Sequence, residues 1–275
     1  KPDVVQLRNL HGNYINFPML MKYIAKNDIA TVITLHDCWV FTGKCCHYTS
    51  DRCYKWQTGC YDCPRLKKDN KSWFLDRTKE LWRAKRKLFG SIPRLAVQGV
   101  SKWTVEEAKK SPIMENAKIF TYIYNGIDSN KFKPTESNLR EKYNLVDKKI
   151  LLGVASGWQK SKGLPDVIEM SEILPDDCVI VLVGHPNEPI PTSEKIINIP
   201  ATENIDELVQ WYSAADVFIN MSKEETFGKV SAEALMCGTP VVCYNTTANP
   251  ELVGENCGYI CETENVVDFK NLVLK

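Results

Sequence analysis

The chain has 275 residues, 44% hydrophobic and 25% charged, ordinary values for a globular protein able to form one large domain or two smaller ones. Its net charge of +1 gives no field to draw nucleic acid, and no such partner is expected. No run approaches the roughly 18 apolar residues of a membrane span. Lys1-Pro2-Asp3 leads straight into an apolar segment without a signal peptide, and Leu272–Lys275 closes on a helical pattern, so both ends predict a fragment.

In chain order, β-branched runs predict strands at Val4–Leu7, Thr31–Leu35, Arg94–Val100, Ile119–Ile123, Ile150–Ala155, Cys178–Val183, Lys195–Ile199, Val217–Met221 and Val241–Tyr244. Helix-period stretches lie between them at Phe17–Lys26, Phe74–Phe89, Ser101–Lys110, Gly163–Ile173, Ile205–Ala214 and Gly228–Met236. Such alternation predicts α/β architecture with parallel sheets covered by helices. Turn chemistry at Asn125–Asp128 and a polar stretch ending at Lys148-Lys149 put a boundary near 148. Two doubly wound domains follow, 1–148 and 149–275, the first lacking its early strands. An insertion at 37–72 interrupts the pattern. Its Cys, Trp and Tyr content argues for order rather than a solvated loop.

Six of the eleven cysteines, Cys38 to Cys63, fall inside that insertion. Cys60-x2-Cys63 is half of a zinc pattern, and Cys45, Cys46, His47 and Cys53 offer the rest. A structural zinc at Cys45, Cys53, Cys60 and Cys63 is one reading; free or packed thiols are the other. The scattered remaining cysteines read as buried hydrophobes of a reducing compartment, hence a cytoplasmic location. Residues 74–89 carry Phe74, Leu75, Leu81, Trp82, Leu88 and Phe89 on one stripe, with Arg77, Lys79, Arg83, Lys85, Arg86 and Lys87 around it. A core-packed helix with a solvated basic face explains this. Peripheral contact with an anionic inner membrane face is the alternative.

The segment Glu225-Thr226-Phe227-Gly228-Lys229-Val230-Ser231-Ala232-Glu233 follows a buried strand and opens a helix. Free N–H groups and the positive dipole end at such a helix start suit a phosphate, and Gly228 permits close backbone approach. A carboxylate at the tip, Glu225, can meet a sugar hydroxyl, and one inside the helix, Glu233, can meet ribose. Two solvated surface glutamates are the plain alternative.

With Glu-Ala-Leu and Cys-Gly-Thr-Pro-Val-Val after it, the Glu-x7-Glu string resembles the signature of glycosyltransferase family 4, of polysaccharide-biosynthesis type. The resemblance runs from His11 to Gly258 and implies the GT-B fold of two facing Rossmann-like domains. It implies a retaining transferase that moves a sugar from a nucleotide-diphosphate sugar to a glycan or lipid-linked acceptor, with no metal or cofactor needed for catalysis. It assigns catalytic roles to His36, Lys162 and Glu225. Donor binding falls to His11, Lys160, Thr226, Phe227, Gly228, Lys229, Val230, Glu233, Gly184 and Thr202. Bottom-up, His11 and His36 stand at the carboxyl ends of parallel strands, where α/β sites form. The turn Ser156–Gly163 matches the family's Lys-Gly pair at Lys162-Gly163 but has Ser156, Gly157 and Trp158 where the family carries an Arg, and Lys160 cannot supply a bidentate fork. Two alternatives remain open: a non-catalytic sugar-nucleotide-binding or scaffold protein, and a sugar-nucleotide epimerase of the same fold.

Overall fold

The computed structural model describes every residue except Asn13, Trp73 and Thr192. The chain forms two compact units, Lys1–Tyr124 and Asn125–Lys275.

In the first unit, β1 (Val4–Arg8), α1 (Phe17–Lys26), β2 (Ala30–Leu35), α2 (Thr78–Gly90), β3 (Leu95–Gly99), α3 (Lys102–Lys109) and β4 (Ile119–Tyr122) follow one another. The four strands pair in parallel in the order β1-β2-β3-β4, so Leu7 stands opposite Ile33 and Ile33 opposite Val97. Asn16 caps α1 by accepting from the Met19 N–H at 3.1 Å, and Pro18 sits in its first turn, where a missing donor costs nothing. Met21 and Ile24 of α1, Trp82 and Phe89 of α2, and Ile33 and Val97 of the sheet share one core.

Helix α2 begins at Thr78, four residues later than its apolar period predicts. Asp76 accepts from the Thr78 N–H at 2.9 Å and the Thr78 hydroxyl at 2.6 Å, which stops the helix there. Phe74 and Leu75 therefore lie outside it, exposed by 94% and 68%, and do not extend the stripe. Lys85 also departs from the expected solvated basic face. It is buried, donates to the carbonyls of Trp39 (2.5 Å) and Thr42 (3.1 Å), and sits 3.4 Å from the Trp39 ring centroid.

Burial pulls the Lys85 ammonium down to about 7, with Cys60 and Asp37 opposing the shift. Between that value and the ordinary 10.5, the unfolded chain holds a proton that the fold does not, so this group makes stability rise with pH across the window. Urea denaturation from pH 7 to 9.5 checks it as a difference, because buried thiols titrate in the opposite sense. Relative to Lys85→Met, the wild type is expected to gain stability as pH rises, and parallel profiles would refute this.

Among its described residues, the insertion after β2 carries one 3-10 turn, Lys55–Gln57, and Phe41, Tyr48 and Trp56 enter the core. Buried Lys44 ties it across, donating to the carbonyls of Arg65 and Leu66 at 2.8 Å and of Lys68 at 2.9 Å.

The second unit holds α4 (Leu139–Lys142), β5 (Lys149–Trp158), α5 (Leu164–Ile173), β6 (Cys178–Pro186), β7 (Ile196–Ile199), α6 (Ile205–Ala214), β8 (Val217–Asn220), α7 (Lys229–Met236), β9 (Val241–Tyr244), β10 (Gly258–Cys261) and α8 (Val266–Val273). Its boundary lies at Tyr124/Asn125 rather than near 148. The reason is packing: Phe132, Leu139 and Leu145 enter a core with Ile150 and Tyr212. Arg140 reinforces this by donating to the carbonyls of Ala214 and Lys148 at 3.0 and 2.8 Å. The sheet is parallel throughout, in the order β10-β9-β8-β5-β6-β7. Alternate residues of β5 feed two cores: Leu151 joins one with Val217 and Phe269, and Ile150 and Leu152 join the other. Strand β10 is not predicted from sequence, and its Tyr259 and Ile260 are 45% and 42% exposed at the sheet edge. Among the described residues, no helix is long and apolar enough to cross a membrane.

Candidate functional site

In the second sheet β5 is followed outward by β6 and β7 on one side, and by β8, β9 and β10 on the other. The order reverses between β5 and β8. Ligands of open α/β sheets bind outside the carboxyl ends of strands at such a switch point. Two loops meet there: residues 159–163 after β5, and residues 221–228 after β8.

The first loop is shaped by a longer strand than predicted. Strand β5 runs through Trp158, with an irregularity between Val154 and Gly157. The Trp158 indole N–H donates to the Val183 carbonyl at 3.1 Å, and its ring closes over Gly153, where a Cβ would stand 2.8 Å from the ring. A buried structural ring thus fills a position where an Arg is expected. Beyond it, Lys160–Lys162 form a single 3-10 turn that ends at Gly163 in the left-handed region, φ +78°. The Met221 carbonyl lies so close that a Cβ on Gly163 would sit 2.2 Å from its oxygen.

Hydrogen bonds then lock one loop to the other. The Lys223 N–H donates to the Ser161 carbonyl at 2.9 Å, and the Ser222 hydroxyl donates to the same carbonyl at 3.3 Å. Beneath them, buried Asn220 donates to Ser231 Oγ at 2.9 Å, and Asn249 donates to the Ser222 carbonyl at 3.1 Å. A satisfied buried network of this kind fixes loop positions. Its members were not singled out from sequence, where polar residues after an apolar strand are indistinguishable from a turn.

The two locked loops hold Lys162 and Glu225 as an ion pair, with side chains 29% and 17% exposed. With Val230 they line one small cavity. Glu225 precedes Gly228, whose φ of +82° opens α7 without a side-chain cap, leaving first-turn amides available. Its own backbone is tied down. The Glu225 N–H donates to Thr247 Oγ1 at 3.0 Å, and its carbonyl accepts from the Ala248 N–H at 3.3 Å. Thr247 makes that contact from φ +51°, a costly conformation for a β-branched residue. Thr247→Gly is expected to hold or raise stability by up to about 1 kcal/mol by relieving the strain. It should also lower any activity that depends on the Glu225 carboxylate by about tenfold, through a loosened Glu225. Thr247→Ser, which keeps the hydroxyl, should retain the activity; equal losses in both variants would contradict the anchoring role.

Glu233 is buried inside α7 rather than solvated. The Tyr212 hydroxyl donates to its Oε2 at 2.9 Å, and Lys229 Nζ stands 3.5 Å from Oε1. Burial, with the carboxylate adding to it, pushes the Tyr212 phenol far above its usual range, so it stays a donor. Phe227 is buried, Thr226 half-buried and Lys229 exposed. Lys160, Gly184 and Thr202 are not among the residues lining the Lys162–Glu225 cavity. Gly184, at φ +131°, passes 1.8 Å from the Ala155 carbonyl oxygen, measured from where a Cβ would be, and its carbonyl accepts from Asn198. Thr202 lies half-buried in the loop after β7.

His11 and His36 belong to the first unit, after β1 and β2. His36 is half-buried. His11 Nε2 stands 2.7 Å from Asp37 Oδ2, and its ring centroid lies 5.9 Å from that of Trp39. Ligand atoms of His11, Asp37 and Cys46 lie within 4.8 Å of one another. The His11–Asp37 contact and a Cys46–Asp37 hydrogen bond account for that proximity, and burial, then Asp37, push the Cys46 thiol up to about 12.

Comparison with known proteins places this geometry. Residues 148–275 match the family model Glycosyl transferases group 1. The chain is 24% identical to WcaC of Escherichia coli (strain K12), named as a colanic acid biosynthesis glycosyl transferase, over 98% of this chain and 67% of that protein. It is 26% identical to the capsular polysaccharide biosynthesis glycosyltransferase CapM of Staphylococcus aureus over 55% of this chain and 42% of CapM. Among solved structures, Anabaena HepE in complex with UDP and glucose superposes with a TM-score of 0.64 at 18% identity, covering 98% of this chain and 67% of HepE. Sucrose-phosphate synthase from Thermosynechococcus elongatus gives 0.66 at 16% identity, covering 99% and 63%. The chain thus spans between 42% and 67% of the lengths of these proteins. Residues 148–275 resemble the group 1 glycosyl transferases in sequence, and the α/β fold of the chain is the GT-B fold.

Proposed function

We propose that the chain moves a sugar from a nucleoside diphosphate sugar to a glycan or lipid-linked acceptor in surface polysaccharide synthesis, with retention at the anomeric carbon. The observation that carries this is the Lys162–Glu225 ion pair, held at the β5/β8 switch point beside the uncapped start of α7. A diphosphate arriving at the helix start would take Lys162 as its counter-charge and free Glu225 to accept from sugar hydroxyls. Glu233, oriented by Tyr212 at Oε2 and with Lys229 beside Oε1, would accept from a ribose hydroxyl. The similarity to HepE, solved with UDP and glucose, supports a uridine donor as the first to try. Functional roles for His36 and His11 of the first unit belong to the same proposal.

The test is a thermal-shift screen of UDP-, GDP- and ADP-sugars, followed by donor hydrolysis without acceptor. One nucleotide class should stabilise the protein and be slowly hydrolysed, with hydrolysis lost in Glu225→Ala. Tight binding without turnover, indifferent to Glu225→Ala, would instead identify a sugar-nucleotide-binding protein. Release of an epimerised donor would identify an epimerase.

A further inference from the structure

Among its described residues, the insertion at 37–77 has a single helical turn and no disulfide between its cysteines. Cys45, Cys53, Cys60 and Cys63 all line one small, partly open cavity. Its volume is about 20 Å³, room for roughly one water-sized sphere. A hole of that size would stay dry if apolar, or hold a water if polar partners faced it. Here its wall carries four thiols, which are weak partners for water and strong ones for a soft cation.

We propose that these four cysteines bind a structural zinc ion that staples the insertion to the first unit. Three observations support it besides the cavity. The Cys45 and Cys63 thiols are already hydrogen-bonded to each other. The Gly43 N–H donates to Cys60 Sγ at 3.2 Å, and the Arg65 N–H to the Cys63 sulfur. Backbone N–H groups committed to sulfur orient thiolates in metal sites and offset their charge. Finally, Trp56 lines the same cavity, and its buried indole N–H has no acceptor among the described residues. A metal-bound thiolate would supply one.

The spacing, Cys-x7-Cys-x6-Cys-x2-Cys, places the chelating pair Cys60 and Cys63 last. The sulfurs line the wall without converging, since no three of them lie within 4.8 Å of one another. Zinc requires each at about 2.3 Å, so binding draws the loop inward. Lys44 and Lys55, also on the wall, would balance the two net negative charges of a tetrathiolate zinc. Gly43 permits this packing, because a Cβ there would stand 2.8 Å from Cys60 Sγ.

The experiment is metal analysis of the full-length protein, purified under reducing conditions without chelator, followed by cobalt exchange. Stoichiometric zinc is expected, with the visible and charge-transfer bands of a tetrahedral tetrathiolate after exchange. Cys60→Ser and Cys53→Ser should each lose the metal, and Cys237→Ser, in the second unit, should retain it. Metal-free wild-type protein whose four thiols react freely, or a Cys45–Cys63 disulfide in that preparation, would overturn the proposal. So would zinc retained in both Cys53→Ser and Cys60→Ser. Because the wild-type protein alone decides the first outcome, poor folding of a variant does not rescue the idea. The result stands apart from donor turnover.

Discussion

Glu225→Gln is expected to lower donor turnover by about two to three orders of magnitude, the usual cost of removing one preorganised electrostatic contact to the transition state. The amide keeps the shape and the backbone bonds to Thr247 and Ala248, so stability should move by less than about 1 kcal/mol. The Lys162 partner makes the experiment sharper. In the free protein Lys162 and Glu225 neutralise one another. Lys162→Ala would therefore remove the cation offered to the diphosphate and also leave a partly buried carboxylate facing it. Donor affinity should drop by more than the loss of one contact explains. In the double variant Lys162→Ala/Glu225→Gln that repulsion is gone, so affinity should recover in part while turnover stays at the lowered level. A coupling of about 0.5 to 3 kcal/mol is the scale for groups in direct contact. Additive losses of affinity, measured by calorimetry across the four proteins, would show that the pair does not serve the diphosphate.

Much of this was legible in sequence because central parallel strands are continuous apolar runs. Helices α1 and α6 match their predicted limits, where caps and period agree. The signature from Glu225 to Glu233 is likewise local, so chain order alone puts it after β8 and into α7. The misreadings share a cause, which is that packing between distant segments overrides local pattern. Lys85 looks like one more charge on a basic helix, but the insertion covers it and its carbonyls satisfy it. Trp158 looks like part of a phosphate turn, yet Gly153 on the same strand leaves a slot for its ring. Asn220, Ser222, Asn249 and Thr247 shape the site through contacts of 20 or more residues' separation in several cases, which periodicity does not report. The boundary near 148 was misplaced because turn residues at 125–148 conceal apolar side chains that pack into the second unit.

Gly163→Ala should separate the site from its scaffold. At φ +78° an L-residue pays about 1–2 kcal/mol. The added methyl would also stand 2.2 Å from the Met221 carbonyl oxygen and 2.7 Å from its carbon, so backbone has to move. Together these predict a loss of about 3 kcal/mol in the unfolding of the second unit, read by urea titration. Relief of the clash pushes residues 159–163 away from 221–223, breaking the Ser161 carbonyl's bonds to Lys223 and Ser222. Lys162 then leaves Glu225, and a displacement near 1 Å can itself cost about a hundredfold in rate. Gly157→Ala is the matched control. Its methyl would meet the exposed side chain of Asn187 at 2.2 Å, and that amide can rotate away, so stability should fall by less than about 1 kcal/mol. If Gly163→Ala weakened the fold but left donor turnover per folded molecule unchanged, the apposition of the two loops would not be what sets the position of Lys162.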